Sequence, residues 1–177
     1  VFIIIILTFT SVANASNNSF VGVIGAAIGD IKNQKNESLS NGSKIFFGDT
    51  TISKSKSNAQ ILFLDQTVLT LGEETELTID EFVYDPNSQD GSFVSTIKTG
   101  TVKFITGQIS KKNPDNLEVK VPAGTLGARG TEFVVLSESN NESTVVLLGP
   151  GPNNTLGMIP GNLILSDGVN SVDITNP

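Results

Sequence analysis

The sequence predicts an all-β fold: a single domain of two packed, mostly antiparallel sheets in a sandwich or roll, with a short β-solenoid as the alternative. Three observations carry that expectation. Beyond residue 16, apolar and polar residues alternate, and no stretch sustains the 3.6-residue stripe of an amphipathic helix. Turn residues punctuate the alternation about every ten residues, the spacing of sandwiches and barrels rather than of βαβ units. The chain has 177 residues, 38% of them apolar and 16% charged, which suffices for one domain with a real core.

Each element has its own signal. Val21, Val23, Ile28 and Ile31 lie among Gly22, Gly25 and Gly29. That suits an opening strand with a bulge or bend, because each glycine would cost a helix about 1 kcal/mol. A turn at Ser40-Asn41-Gly42 precedes a strand over 44–47, and Gly48-Asp49-Thr50 turns the chain again before Ile52. Ala59, Ile61 and Phe63 share one face, Asp65-Gln66 reverses the chain, and residues 68–71 and 76–79 supply further short strands. Residues 137–143 compose a polar loop tip, and 145–148 return as a strand. Gly149-Pro150-Gly151-Pro152-Asn153-Asn154 then interrupts regular pairing before a last hairpin over 162–165 and 169–174, turned at Asp167-Gly168. The alternation predicts one core built from Ala59, Ile61, Phe63, Leu69, Leu71, Leu77, Ile79, Val102, Phe104, Val119, Val121, Phe133 and Val135.

Residues 1–12 form a nearly continuous apolar run that ends in Ala13-Asn14-Ala15. This reads as the hydrophobic region and cleavage site of a secretory signal peptide whose basic n-region is missing. It predicts a signal-peptide helix over 1–15, a mature chain from Ser16, and export to the periplasm or the extracellular space. A second reading makes the run the outer end of a transmembrane helix, since a span needs about 20 apolar residues and only about a dozen are present. A membrane is a partner only if residues 1–15 remain as an uncleaved anchor. The expected organisation is a signal peptide over 1–15, a β domain over 16–150, and a loop plus C-terminal β-hairpin over 151–177 whose abrupt end reads as truncation.

Charge and composition exclude several functions. The formal charge is −7 and the pI about 4.5. Such a field repels polyanions, and Lys54, Lys56, Lys111 and Lys112 are scattered, so nucleic acid is not an expected partner. The chain has no cysteine and no histidine, which removes disulfides, Ser-His-Asp and Cys-His catalysis, and imidazole or thiolate zinc sites. Glu73-Glu74 and Asp80-Glu81 are adjacent acids whose side chains point to opposite faces of a strand, so neither pair brackets a glycosidic bond. Asp85-Pro86-Asn87-Ser88-Gln89-Asp90-Gly91 resembles a calcium loop, but its acids and glycine fall outside the EF-hand register, and it reads as a surface loop. The N-x-S/T sequons at Asn17, Asn36, Asn41, Asn141 and Asn153 would be acceptor sites only on a eukaryotic secretory path. No cofactor, metal or catalysis is expected.

The most specific stretch is Val121-Pro122-Ala123-Gly124-Thr125-Leu126-Gly127-Ala128-Arg129-Gly130-Thr131-Glu132-Phe133-Val134-Val135, a lone arginine in a Gly/Thr turn over 127–131 that runs into an apolar strand. It resembles the end of the FecR-type domain, an extracytoplasmic all-β module, with Lys120 where the family usually has threonine. Gly42-Ser43-Lys44-Ile45-Phe46-Phe47-Gly48-Asp49-Thr50 and residues 59–71 are similar to two earlier segments of that family, with Gln66 at a usual glycine. The resemblance spans 21–135. It implies a bacterial cell-envelope setting, where family members sense a partner and relay its occupancy through a membrane helix to a cytoplasmic sigma-factor regulator. The expected function is accordingly a secreted or periplasmic binding and signalling module that contacts another envelope protein without catalysis. The alternative is a structural scaffold or surface domain of a longer secreted protein. Arg129, Gly130 and Thr131 are the candidate structural or partner-contact residues. The Arg129 guanidinium is expected to tie its turn to Asp65, Asp80, Glu81 or backbone carbonyls, or else to clamp an anionic ligand.

Overall fold

A computed structural model describes residues 19–138, 142–155 and 157–177. The expected signal-peptide helix lies outside the described residues, as do Asn17 and Asn141. The described chain runs through β1 (Phe20–Ile28), β2 (Ile31–Asn33), β3 (Lys44–Phe46), β4 (Thr50–Ser53), β5 (Asn58–Phe63), β6 (Val68–Leu71), β7 (Glu76–Tyr84) and β8 (Gly91–Ile105). One five-residue helix, α1 (Gln108–Lys112), and a 3-10 turn at Pro114–Asn116 follow. The chain then continues through β9 (Leu117–Val121), β10 (Gly124–Arg129), β11 (Glu132–Ser137), β12 (Ser143–Leu147), β13 (Asn162–Ser166) and β14 (Ser171–Ile174).

These strands form one mixed hydrogen-bonded network that does not close into a barrel, and β8 folds it into two facing leaves. Up to Thr99, β8 pairs with β7 on one side and β9 on the other. From Gly100 onward it pairs with β6 and β11. One leaf therefore runs β3-β1-β5-β6-β8-β11-β12 and the other β2-β4-β7-β8-β9-β10-β13-β14. Gly100 sits at the switch with φ +91°, and a Cβ there would lie 2.3 Å from Thr75 Oγ1 and 2.4 Å from Thr75 Cα. Only glycine fits both demands. The β8–β9 ladder is parallel and the other named ladders are antiparallel, which gives the expected sandwich rather than the parallel coils of a solenoid.

The period-two pattern reaches the core as predicted. Burial alternates residue by residue along β5, β6 and β11. All thirteen residues expected in the core are buried, and all but Ala59 belong to one apolar cluster. The leaves meet where Phe63 of β5 packs against Phe82 of β7 and Phe93 of β8, with ring centroids 5.5 and 4.8 Å apart. Phe104 and Phe133 are register partners on β8 and β11, and their rings stack at 4.7 Å. The glycine-rich β1 carries the expected irregularity, with register shifts between Phe20 and Gly22 against β3 and between Ile24 and Ala26 against β5.

The β5–β6 hairpin turns through Gln66 at φ +71°, so glutamine adopts the left-handed conformation that glycine would take freely. Beside it Asp65 is fully buried and accepts from the Thr67 amide at 3.0 Å and the Thr67 hydroxyl at 2.8 Å. The Thr67 hydroxyl in turn accepts from the Gly107 amide at 3.0 Å, and the Asp65 carbonyl accepts from the Gln108 amide at 2.8 Å. This hairpin therefore holds the start of α1.

Candidate functional site

The stretch around Arg129 is where the chain changes leaf. The turn expected over 127–131 is narrower than its composition suggests, because residues 124–129 are strand β10, paired with β9 on one edge and β13 on the other. Only Gly130, at φ +47°, and Thr131 turn the chain from β10 in one leaf into β11 in the other. The glycines and threonine that signal a turn are compatible with a strand when both edges supply ladder partners.

The corner is held from below by α1. The buried Ser110 hydroxyl donates to the Ala128 carbonyl at 2.6 Å and accepts from the Gly130 amide at 3.1 Å. The Thr131 carbonyl accepts from the Thr106 amide at 3.1 Å. The Asp65-Gln66-Thr67 turn and the Arg129-Gly130-Thr131 corner thus both anchor to the same short helix. Thr131 is buried, and its Oγ1 has no hydrogen-bond partner among the described residues.

Arg129 does not make the tie expected of it. Its side chain is exposed, and no carboxylate of the described residues forms an ion pair with it. The expected partners are elsewhere: Asp65 is committed to Thr67, Asp80 accepts from the Thr96 hydroxyl at 2.6 Å, and Glu81 is exposed. The acidic pairs are not assembled into a site either, since the Glu73 carboxylate accepts from the Lys56 amide at 2.8 Å and Glu74 sits in a turn at φ +52°. In the calcium-like loop, hydrogen bonds from the Asn87 amide and then the Ser88 hydroxyl hold the Asp85 carboxyl below the usual carboxylate range. A hydrogen bond from Lys112, 2.7 Å away, does the same for Asp90. Asp85 is thus spent on its own loop and Asp90 on Lys112 of α1.

What Arg129 does instead is line a cleft of about 270 Å³ on the outer face of β9, β10 and β13. Alternation puts Thr125, Gly127 and Arg129 on that face, while Leu126 and Ala128 point into the core. Gly127 lies between Glu118 on β9 and Ile164 on β13, and Arg129 lies beside Asn162. The 3-10 turn adds Pro114 and Asp115 to the rim. A Cβ on Gly127 would meet nothing within 4 Å. The missing side chain leaves the floor of the cleft open. The Asn162 Oδ1 is buried and has no hydrogen-bond partner among the described residues.

Of these residues, sequence reading singled out Arg129 alone. Gly127 carried a usable signal, an isolated glycine within an alternating strand, which marks a bulge or a close approach. Nothing in the sequence placed Asn162 and Ile164 beside it, because that depends on β13 pairing with a strand more than thirty residues earlier.

No curated protein and no solved structure matches the chain. The FecR protein family matches residues 49–149, which is more than half of the chain and runs from the residue before β4 to just past β12. The Asp65 hairpin, α1 and the Arg129 corner all fall within that match, and the chain belongs to the FecR family, a family of signalling and regulatory proteins.

Proposed function

We propose that this chain is an exported binding and signalling module of the cell envelope that works through contact with another envelope protein and performs no catalysis. The observation that carries the reading is the Arg129 cleft. Small-molecule sites occupy roughly 300–1,000 Å³ and enclose most of their ligand. A 270 Å³ cleft on a sheet face lies at the foot of that range and fits a side chain or two. Arg129 beside the exposed Ile164 sets an arginine next to apolar surface, and arginine is enriched at protein interfaces. Family membership supports the signalling role, and the apolar run over 1–12 supports export.

A photo-cross-linking residue at position 164, introduced in intact cells of the source organism, tests the reading. The expected result is a protein-sized adduct in the envelope or extracellular fraction, lost when Arg129→Ala is combined with it and missing when the cross-linker stands at the distant exposed Ile28. No protein adduct at 164, or one unaffected by Arg129→Ala, refutes contact at this face.

A further inference from the structure

We infer that the outer face of the leaf β3-β1-β5-β6-β8-β11-β12 is a dimer interface, occupied by a second copy of this chain across a two-fold axis that runs along the strands between β5 and β6. The Arg129 cleft lies on the other leaf, so this contact goes beyond the one proposed there and leaves that cleft open. Ladder register carries one row of side chains across six neighbouring strands: Lys44 on β3, Val23 on β1, Leu62 on β5, Val68 on β6, Ile105 on β8 and Glu132 on β11. The row points away from the core, because the residues that alternate with it, such as Ile61, Phe104 and Phe133, are fully buried. Leu62 and Ile105 are 38% and 41% exposed. The exposed Val146 of β12 and Leu64 just after β5 extend the apolar surface on either side of the row. Contiguous exposed apolar surface of this kind marks an interaction site.

The order of the row selects the occupant, because the row is its own complement. It has a cation at one end, an anion at the other and four apolar residues between them. A two-fold axis between Leu62 and Val68 lays Leu62 on the partner's Val68, Val23 on the partner's Ile105 and Lys44 against the partner's Glu132, and each contact occurs twice, as an isologous interface requires. The strands of the two copies stay aligned, the arrangement in which sheets pack face to face. Lys44 lies over the Phe20 ring, 5.9 Å from its centroid, and no carboxylate of the described residues forms an ion pair with it. Glu132 pairs with Lys103 through one carboxylate oxygen and has a second to offer. Two chains of charge −7 repel each other over most of their surface, but the outward positions of this leaf carry only Lys44, Lys103 and Glu132, two positive charges and one negative. The same net charge opposes an anionic lipid surface. Seven strands about 4.8 Å apart make a face about 30 Å wide, and three rows of side chains make it about 20 Å deep, so two copies bury about 1,200 Å² between them, the lower end of specific interfaces.

Sedimentation equilibrium of the full chain tests this. The wild type is expected to show a monomer–dimer equilibrium, and Lys44→Glu alone and Glu132→Lys alone are each expected to raise its dissociation constant about tenfold or more, because each sets like charges against one another at both ends of the interface. An equimolar mixture of the two variants is expected to dimerise as well as the wild type, since both ends of the mixed dimer again join opposite charges. Association through any other surface is indifferent to that mixing. Leu62→Gln, beside the axis, is expected to weaken the dimer in the same assay, and it carries the test if either charge variant loses its β-sheet circular dichroism. A wild type that is still monomeric at about 100 µM, a dimer that none of the variants weakens, or a mixture no more associated than its components overturns the inference. Recruitment of the monomer to phosphatidylethanolamine–phosphatidylglycerol vesicles, lost in Leu62→Gln, overturns it as well, by making this a membrane-binding face.

Discussion

The Ser110 hydroxyl donates to Ala128 on one side of Arg129 and accepts from Gly130 on the other, so a single buried atom group spans the point where the chain leaves β10. Removing it leaves a carbonyl and an amide without their partner in a site closed to water, a loss of about 1–3 kcal/mol. Ser110→Ala is therefore expected to lower stability by that amount, whereas Arg129→Ala, at an exposed position with no ion pair, should stay within about 0.5 kcal/mol of wild type. Denaturant midpoints of the two variants measure this directly. The reverse order would return the anchoring role to Arg129. The sequence pointed to the arginine because a lone charge among glycines is conspicuous, while a serine nineteen residues earlier shows no sign of its partner until α1 is folded beneath the corner.

Strand β8 is shared by both leaves, and its two halves are joined at a residue that must be glycine. Alanine at position 100 would carry left-handed strain of about 1–2 kcal/mol and, in addition, press its Cβ onto the Thr75 backbone, where overpacking costs about 1–3 kcal/mol. Gly100→Ala should destabilise by about 2–5 kcal/mol, read from the unfolding midpoint, and a loss below about 1 kcal/mol would show that the bend relaxes without Gly100. Gly127→Ala in β10 is the matched control, a strand glycine with open space and ordinary φ. Elements of this kind are the ones that sequence patterning did not resolve. The short alternating strands β5, β6 and β11 were legible because each buries one face. The fifteen residues of β8 were not, since Ser95 is buried among apolar positions and Gly100 looks like a terminator. The five residues of α1 are too few to show a helical stripe, and that helix is held by Asp65, Thr67 and Ile109 packing rather than by propensity.

At the scale of the whole molecule, fold class and core composition follow from the alternation of single residues, but the arrangement of the leaves depends on long-range pairings such as β10 with β13 and β1 with β5. The candidate cleft inherits that limit, since one wall comes from the family-matched segment and the other from β13 beyond it. The same pairings decide how the protein unfolds. Both leaves contribute to the Phe63, Phe82 and Phe93 cluster, both use β8, and β13 is laddered to β10 over five residue pairs. Losing either leaf exposes the inner face of the other, so neither is expected to persist alone, and unfolding should be a single cooperative transition. Tyr84, the only tyrosine, reports on β7, while far-UV circular dichroism reports on all strands. The two signals should share one midpoint in denaturant. Phe93→Ala in one leaf and Phe133→Ala in the other each removes a fully buried ring, at a cost of about 3–5 kcal/mol, and each should move both signals together. A separate transition of the Tyr84 signal, or a variant that shifts only one of the two curves, would show that the leaves are independent units and that β8 merely connects them.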